Sequence, residues 1–481
     1  MKRTYGAVLV PLVTVLFCFS CTTRSMRRIE KLADSTVEND FLSAIDIIRK
    51  NPNLYGKTSL FLYHMDIGAL FHYAGMYDSS TVHLQQASDI FNDLFARSVT
   101  NEAAAVLTND NIRPYRSKPY ELVMLHEILA SNYLAKNDVD EALVETRQVQ
   151  LMFDEWKRKN RSGEKYDSDG MFHYVSSIAY DAAGETSDAM ISLYHSVKAF
   201  QEGPVALPAG LAPLARHLFT LNGRDDDIKL LNLSQPVDSR AKEFSNHETE
   251  IVVIGYAGRG PVLEEQSWWG TWVKDGLLVV HHTGTNGEEE TMTLPAPSLP
   301  ASELRKAEKG QKTESGTTFH IKFALPALRT VPAKTKNFSV TCSGSEQQYV
   351  SVPFNNLDKQ AQKYLDDTRA ATVARTVVRV VLRTIAAQRA KAQIQTGSTA
   401  ANLLLNIGTD ILADQLEKAD IRGCFLLPKE VHIVRIPVTA GTHTVEVAAK
   451  SADGVVLRTE VYRDITVANH QKKFVFCSSF K

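Results

Sequence analysis

Residues 63–87 read YHMDIGALFHYAGMYDSSTVHLQQA, a pattern typical of two helices joined by a tight turn. Gly68 is a small residue at a position where the two helices would pack closely, and Phe71 follows one helical turn later. Gly75 falls at the turn itself, and Ala87 takes a small-residue position in the second helix. Such a hairpin is amphipathic and cannot hide its apolar face alone. We therefore expect it to stack against further hairpins.

Two more segments carry the same order of small, aromatic, turn and small residues. The first has Ala130, Tyr133, Asn137-Asp138 and Ala142, and the second has Tyr180, Gly184, Ala189 and Leu193. The three segments together resemble tetratricopeptide repeats. Their turns are irregularly spaced, which indicates inserted segments between the repeats. We predict a divergent tetratricopeptide-like helical domain over residues 36–231.

The periodicity changes in the second half of the chain, where short alternating apolar stretches indicate β-strands. The predicted order is a linker, a β-rich region, a long helical segment that includes a helix near 401–418, and a C-terminal β-sandwich-like domain. These segments cover residues 232–248, 249–356, 357–420 and 421–481. The fold class predicted for the 481 residues is therefore a multidomain α+β protein.

The beginning of the chain resembles a bacterial lipoprotein export signal. Lys2 and Arg3 precede an apolar run from Gly6 to Phe19 that is too short to span a bilayer, and Ser20 stands before Cys21. We expect residues 1–20 to be cleaved, Cys21 to be acylated, and residues 21–35 to act as a tether. The expected location is the bacterial cell envelope, with the outer membrane favoured over the inner membrane.

Three cysteines remain after Cys21, namely Cys342, Cys424 and Cys477. Their spacing matches no zinc-binding pattern. Cys424 and Cys477 both lie near strand-like segments and could form a disulfide. The alternative is three buried, reduced thiols.

One block, from Leu107 to Arg147, is denser in distinctive residues than any single repeat. It contains the pair Tyr120-Glu121, then Asn132-Tyr133-Leu134, then Val144-Glu145-Thr146-Arg147. The block resembles the central motif of an uncharacterised family of bacterial lipoproteins, which have a tetratricopeptide-like N-terminal half and a β-rich C-terminal half. The resemblance implies an envelope lipoprotein of that design and brings no known reaction.

The polar side chains of this block are candidate partner-binding residues. They are Tyr120, Glu121, His126, Tyr133, Glu145 and Arg147. One interpretation is a polar groove that binds a peptide or a glycan. The other is a buried Glu–Arg pair that fixes helix packing, since a buried charge needs a partner.

Two further sets of residues are candidates for contact with a partner. Trp268 and Trp269 could stack on sugar rings or lie at a membrane interface, or they could pack in a β-domain core. Arg375, Arg379 and Arg383 recur every fourth residue on the long helix and form a basic stripe. The stripe could face anionic lipid or an acidic partner, or it could simply be solvated.

The motifs favour a binding function over catalysis. His126-Glu127 lacks the second histidine of the zinc-protease motif, and adjacent His281 and His282 point to opposite faces of a strand, so no metal or cofactor is expected. The formal net charge of −1 gives no reason to expect nucleic acid as a partner.

We therefore predict a non-enzymatic envelope module anchored in the bilayer through acylated Cys21. Its helical array would dock a protein or cell-wall partner. The alternatives are an envelope hydrolase acting on glycan or peptide through a groove around Glu121, His126 and Glu145, and a structural protein that assembles with itself.

Overall fold

The computed structural model describes residues 32, 34–98, 111, 113–159, 168–233, 249–273, 276–284, 287–296, 318–394 and 418–481. The predicted signal segment, Cys21, most of the tether and linker, and the helix predicted near 401–418 lie outside these residues. No helix in the described ranges is long and apolar enough to cross a membrane.

Helices form the N-terminal half of the described chain. They are α1 (Phe41–Lys50), α2 (Leu60–Tyr73), α3 (Tyr77–Ser98), α4 (Pro119–Ala135), α5 (Val139–Lys159), α6 (Gly170–Ala182), α7 (Thr186–Glu202), α8 (Leu211–Leu221) and α9 (Asp225–Leu230).

Four helix pairs, α2–α3, α4–α5, α6–α7 and α8–α9, turn in the same way. Each first helix is followed by a left-handed residue, and the next amide donates to the carbonyl five residues back, which closes the helix end. The left-handed residues are Gly75, Asn137, Gly184 and Gly223, and the accepting residues are Phe71, Tyr133, Tyr180 and Phe219. Glycine, and less readily asparagine, adopts this backbone conformation without a large steric cost. The accepting residue is aromatic in all four pairs.

Strands dominate the C-terminal half. They are β1 (Glu250–Arg259), β2 (Val262–Val273), β3 (Leu277–Thr283), β4 (Glu289–Pro295), β5 (Thr318–Arg329), β6 (Asn337–Cys342), β7 (Tyr349–Val350), β8 (Val352–Asn356), β9 (Pro428–Pro437), β10 (Gly441–Lys450), β11 (Val456–Val467) and β12 (Lys472–Ser479). One long helix, α10 (Leu357–Ile394), lies between β8 and β9 in the chain.

The strands form three four-stranded sheets. The central sheet has the order β12-β1-β9-β8, the outer sheet β11-β10-β6-β7 and the side sheet β4-β3-β2-β5. β1 runs parallel to β12 and antiparallel to β9. The predicted segments 249–356 and 421–481 therefore contribute strands to the same two sheets, since both the central and the outer sheet draw on each of them.

The central sheet is buried on both faces, which explains the uninterrupted apolar run of β1. Ile251 and Val253 pack in the core between the central and outer sheets. Val252, Ile254 and Tyr256 point the other way and join the core of the helices. The result is a layered arrangement of helices, central sheet and outer sheet.

The side sheet has a separate core, which it shares with α10. Trp268, Trp272 and Phe323 pack against Val373 and Val377 of the helix. Because these valines are four residues apart, they lie on one face of α10. The other faces of this segment of α10 can contact residues outside this core.

The prediction of a mixed α+β protein, with helices in the N-terminal half and sheets in the C-terminal half, is confirmed.

Candidate binding cavity

A cavity of about 600 Å³ lies where the helical half, the side sheet and α10 meet. Its walls are the end of α3, the segment 113–118 before α4, the strand β5, one side of α10 and the segment 418–422. Ligand sites commonly have this size and occupy such junctions between structural units.

The β5 wall is an open strand edge. Residues 324–328 all line the cavity, although side chains of consecutive strand residues point to opposite faces of a sheet. The cavity therefore reaches the edge of β5, and it also extends to Leu263 and Gln266 of the neighbouring strand β2. β5 is the last strand of the side sheet and pairs with β2 on its other edge. Within the described ranges, no backbone hydrogen bond joins its cavity edge to another strand.

The α10 wall is polar. Gln362, Arg369, Thr372, Thr376 and Arg379 line the cavity at steps of three, four or seven residues, so they share one side of the helix. From residue 362 to residue 379 this side extends for about 25 Å at 1.5 Å per residue. This side adjoins the valine stripe that packs on the side sheet.

The residues of the cavity wall carry an excess of positive charge. The cations are Arg113, Arg116, Lys118, Arg369, Arg375, Arg379, Lys418 and Arg422, and the acids are Glu290, Asp366 and Asp420. The whole chain has a formal net charge of only −1. Cations are therefore concentrated here, where they raise the local concentration of anionic ligands.

Some of these cations already have acidic partners. Arg369 Nη2 lies 2.5 Å from Glu290 Oε1, and Arg422 Nη2 lies 2.6 Å from Asp420 Oδ2. Arg375, by contrast, is exposed and forms no ion pair with the residues that the structure describes. Apolar contact surface comes from Phe91 and Trp156 of the helical wall and also from Leu325 of β5 and Leu365 of α10.

Glu121 lies behind this wall and ties two parts of it together. Its Oε2 accepts from the Tyr115 hydroxyl at 2.5 Å and from the Lys118 amide at 2.8 Å. Its Oε1 accepts from the Cys424 amide at 3.1 Å. Lys118 Nζ donates to the Arg422 carbonyl at 2.7 Å. Glu121 thus caps α4 and holds the segment 418–424 against the helices, and its oxygens point to protein groups.

Three other candidates of the central block are buried and do not line the cavity. Tyr120 is buried with its ring against Tyr364, and Tyr133 is buried and accepts a hydrogen bond from Gln85. His126 Nδ1 lies 2.7 Å from Glu145 Oε2 in the buried contact between α4 and α5.

The buried Glu–Arg pair considered for this block does not form. Glu145 pairs with His126, whereas Arg147 is exposed and lies 3.7 Å from Glu185. Glu145 and Arg147 are two positions apart on α5 and therefore point in different directions. The alternative expectation of a single groove around Glu121, His126 and Glu145 is also not met, because none of these residues lines the cavity.

The two tryptophans have opposite environments. Trp268 is fully buried in the core of the side sheet, with the Arg369 guanidinium carbon 5.2 Å from its ring centroid, so a stacking role at the surface is wrong for this residue. Trp269 is 45% exposed on the other face, near His281.

Of the predicted arginine stripe, Arg375 and Arg379 line the cavity. Only Arg375 is exposed, because Arg379 is almost fully buried.

Cys342, Cys424 and Cys477 are free and buried, which decides against a Cys424–Cys477 disulfide. Cys477 lies in the core between the central and outer sheets, whereas Cys424 lies in the core of the helices. Burial raises the pKa of both thiols well above the usual value, so they stay protonated.

Among the described side chains, no three of His, Cys, Asp or Glu come together in a group that could hold a metal ion.

Sequence reasoning missed most of the cavity wall. The stripe of Arg375 and Arg379 was a partial signal, and Pro326 inside an apolar strand was a second signal, since proline is confined to strand edges. Arg113, Arg116 and Lys418 are separated by long stretches of chain, and no local pattern connects them with α10.

Comparison of the chain with protein families, with curated proteins and with solved structures finds no match.

Proposed function

We propose that this protein is a lipid-anchored, non-enzymatic binding module of the bacterial cell envelope, and that its binding site is the cavity between the helical half, β5 and α10. The observation that carries this proposal is the cavity itself. It combines a ligand-sized volume, an unpaired strand edge and a concentration of cations in a chain of almost neutral charge. A tether would raise the effective concentration of such a module at the membrane surface.

A tetratricopeptide-like array is the second part of the proposal. Three hairpins share a small residue seven positions before the left-handed turn residue, namely Gly68, Ala130 and Ser177. A Cβ atom on Gly68 would lie 2.6 Å from Leu84, so the first hairpin packs closely at this position. In this interpretation the array is the scaffold that presents one wall of the cavity, and its partner is an envelope protein or a cell-wall component.

The anchor is proposed from the resemblance of residues 1–21 to a lipoprotein signal. Metabolic labelling with a palmitate analogue should mark the wild type and leave Cys21→Ala unlabelled. Label that persists on the variant would rule out acylation at Cys21. Fractionation of the two membranes would then test the proposed preference for the outer membrane.

A large side chain introduced into the cavity tests whether the cavity is the binding site. Thr372 lines the cavity on α10, and Ala370 is exposed on the same helix outside it. After crosslinking in membranes, wild type and Ala370→Trp should recover the same bound component, and Thr372→Trp should lose most of it. Equal recovery by Thr372→Trp would show that binding occurs elsewhere.

The hydrolase alternative has no comparable support. Glu121, His126 and Glu145 are buried, and each is hydrogen-bonded to a protein group. Glycosidase chemistry needs two carboxyl groups that flank a bond in an open cleft.

A further inference from the structure

We propose that the cavity binds an acidic peptide segment in an extended conformation, which adds as a strand to the free edge of β5 and directs its carboxylates to the arginines of α10. This inference rests on the proposed function of the cavity and names the chemical class of its ligand.

The geometry of the β5 edge suits an extended ligand. The cavity follows residues 324–328 along the edge and is not confined to one face, so a ligand there meets backbone groups as well as side chains. An extended peptide satisfies such groups by main-chain hydrogen bonds, which is the usual basis of strand addition. Pro326 removes one donor in the middle of the edge. The peptide can therefore pair on both sides of Pro326 but cannot form an unbroken ladder.

The charge of the facing wall favours an acidic ligand. α10 runs along the cavity, and of its lining arginines Arg375 is exposed whereas Arg379 is almost fully buried. Arg375 is exposed and has no acidic partner in the described structure, so it can pair with a carboxylate of the ligand. Arg369 is shared between the Glu290 carboxylate and the Trp268 ring, so it is held in position. Side chains on one face of an added strand recur every second residue, and acidic residues at that spacing would face α10.

Polar groups on two of the walls favour a peptide over an anionic lipid. Apolar side chains line all three walls, for example Phe91, Leu325 and Leu365, but an acyl chain cannot form hydrogen bonds with the backbone groups of the β5 edge. The α10 wall also carries Gln362, Thr372 and three arginines. A peptide of alternating acidic and apolar residues can contact both the apolar and the polar groups.

The test uses the full-length protein in detergent micelles and a short capped peptide of alternating glutamate and valine. A matched peptide with glutamine in place of glutamate is the charge control. The glutamate peptide should bind at least about ten-fold more tightly, and its affinity should fall with added salt. Equal affinities for the two peptides would overturn the proposed ligand class.

A pair of variants locates the binding. Arg375→Glu should weaken binding of the glutamate peptide about ten-fold or more, because one attraction becomes a repulsion. Lys359→Glu changes the same charge on an exposed position of α10 outside the cavity and should have little effect. Equal weakening by both variants would mean that net charge alone attracts the peptide, which contradicts a site at the cavity.

Strand addition has its own readout. Two glutamate peptides are N-methylated at alternate amides, one at odd positions and one at even positions. Only the peptide methylated on the amides that face β5 should lose binding, since the amides on the other edge make no bond to the strand. Equal binding by the two methylated peptides would overturn strand pairing.

The remaining outcomes distinguish this inference from the proposed function. If vesicles containing phosphatidylglycerol bind in a manner abolished by Thr372→Trp while the glutamate peptide does not bind, the ligand class is wrong and the cavity remains the site. If Thr372→Trp changes no binding of any kind, both proposals fail.

Discussion

Two of the places where the helical half meets the β half differ in how their polar groups are used. At the first, which we term the closed junction, Glu250 of β1 lies between Arg435 of β9 and Lys472 of β12. Arg435 donates to Glu250 at 2.6 and 3.0 Å, and Lys472 lies 2.9 Å from Asp181 of α6. All of these groups except Asp181 are less than 5% exposed at their side chains. At the second place, the cavity, an exposed arginine and a strand edge have no ion-pair or strand partner among the described residues.

The difference indicates which polar residues serve the fold. In the closed junction the charges compensate each other inside the protein, so their role is complete without a ligand. In the cavity a cation and the backbone groups of a strand edge have no such partner in the part of the chain that the structure describes. Glu121 and His126 of the central block bond to other groups of the protein. In this they are like the residues of the closed junction and unlike the exposed arginine of the cavity.

The largest effect should come from breaking the closed junction. Glu250→Ala leaves Arg435 and Lys472 buried with too little negative charge, which costs about 3–5 kcal/mol of unfolding free energy for a buried pair. Urea unfolding followed by circular dichroism measures this loss. A loss below about 1 kcal/mol would mean that water reaches these charges, and the contrast between the two places would disappear.

Glu121→Gln should have the next largest effect. The neutral side chain accepts more weakly from Tyr115, Lys118 and the Cys424 amide, and we expect a loss of about 1–3 kcal/mol. Thermal unfolding monitors the stability, and proteolysis near residue 422 monitors release of the segment 418–424. A variant as stable as the wild type would show that Glu121 does not hold this segment.

Two buried acids of the helical half should make stability depend on pH. Burial raises the pKa of Asp66 to about 8 and that of Glu127 to about 8. The unfolded chain ionises these groups at their ordinary, lower pKa values, so rising pH favours unfolding until the folded groups ionise near pH 8. Burial lowers the pKa of His72 to about 4, and this opposes the trend only below about pH 6.5.

Between pH 6.5 and 8 the unfolding free energy should therefore fall by at most about 1.4 kcal/mol per pH unit for each acid. Glu127→Gln replaces the carboxyl group with a neutral amide of the same shape. The contribution of Glu127 to the pH dependence of the unfolding free energy should therefore disappear. Denaturant unfolding at several pH values measures it. An unchanged slope in the variant would mean that Glu127 is already ionised in the folded protein.

The smallest effect should come from the cavity. Arg375→Ser removes an exposed cation without an ion pair in the described structure, so stability should change by less than about 0.5 kcal/mol. Urea unfolding of Arg375→Ser, measured alongside Glu250→Ala, tests this prediction. A loss of 2 kcal/mol or more would place Arg375 in the structural framework and weaken its assignment to ligand binding.

The sequence was informative wherever neighbouring residues decide the structure. The left-handed turns at Gly75, Asn137 and Gly184 followed from short-range steric rules, and so did the helical and strand periods of the two halves. The opposite directions of His281 and His282 followed from strand geometry: His281 contacts Thr291, and His282 contacts the Ser267 carbonyl.

Only the tertiary structure decided which distant segments meet. β1 pairs with β12 across more than 200 residues, and the cavity wall draws on Arg113, Arg375 and Lys418. Hydrophobic alternation predicts a strand but does not identify the strand with which it pairs. That choice depends on the combined packing of both faces of the sheet. For the same reason, the sequence predicts that Arg375 lies on a polar side of a helix. It does not predict the open edge of β5 on the other side of the cavity, because that edge forms only when the sheets and helices pack.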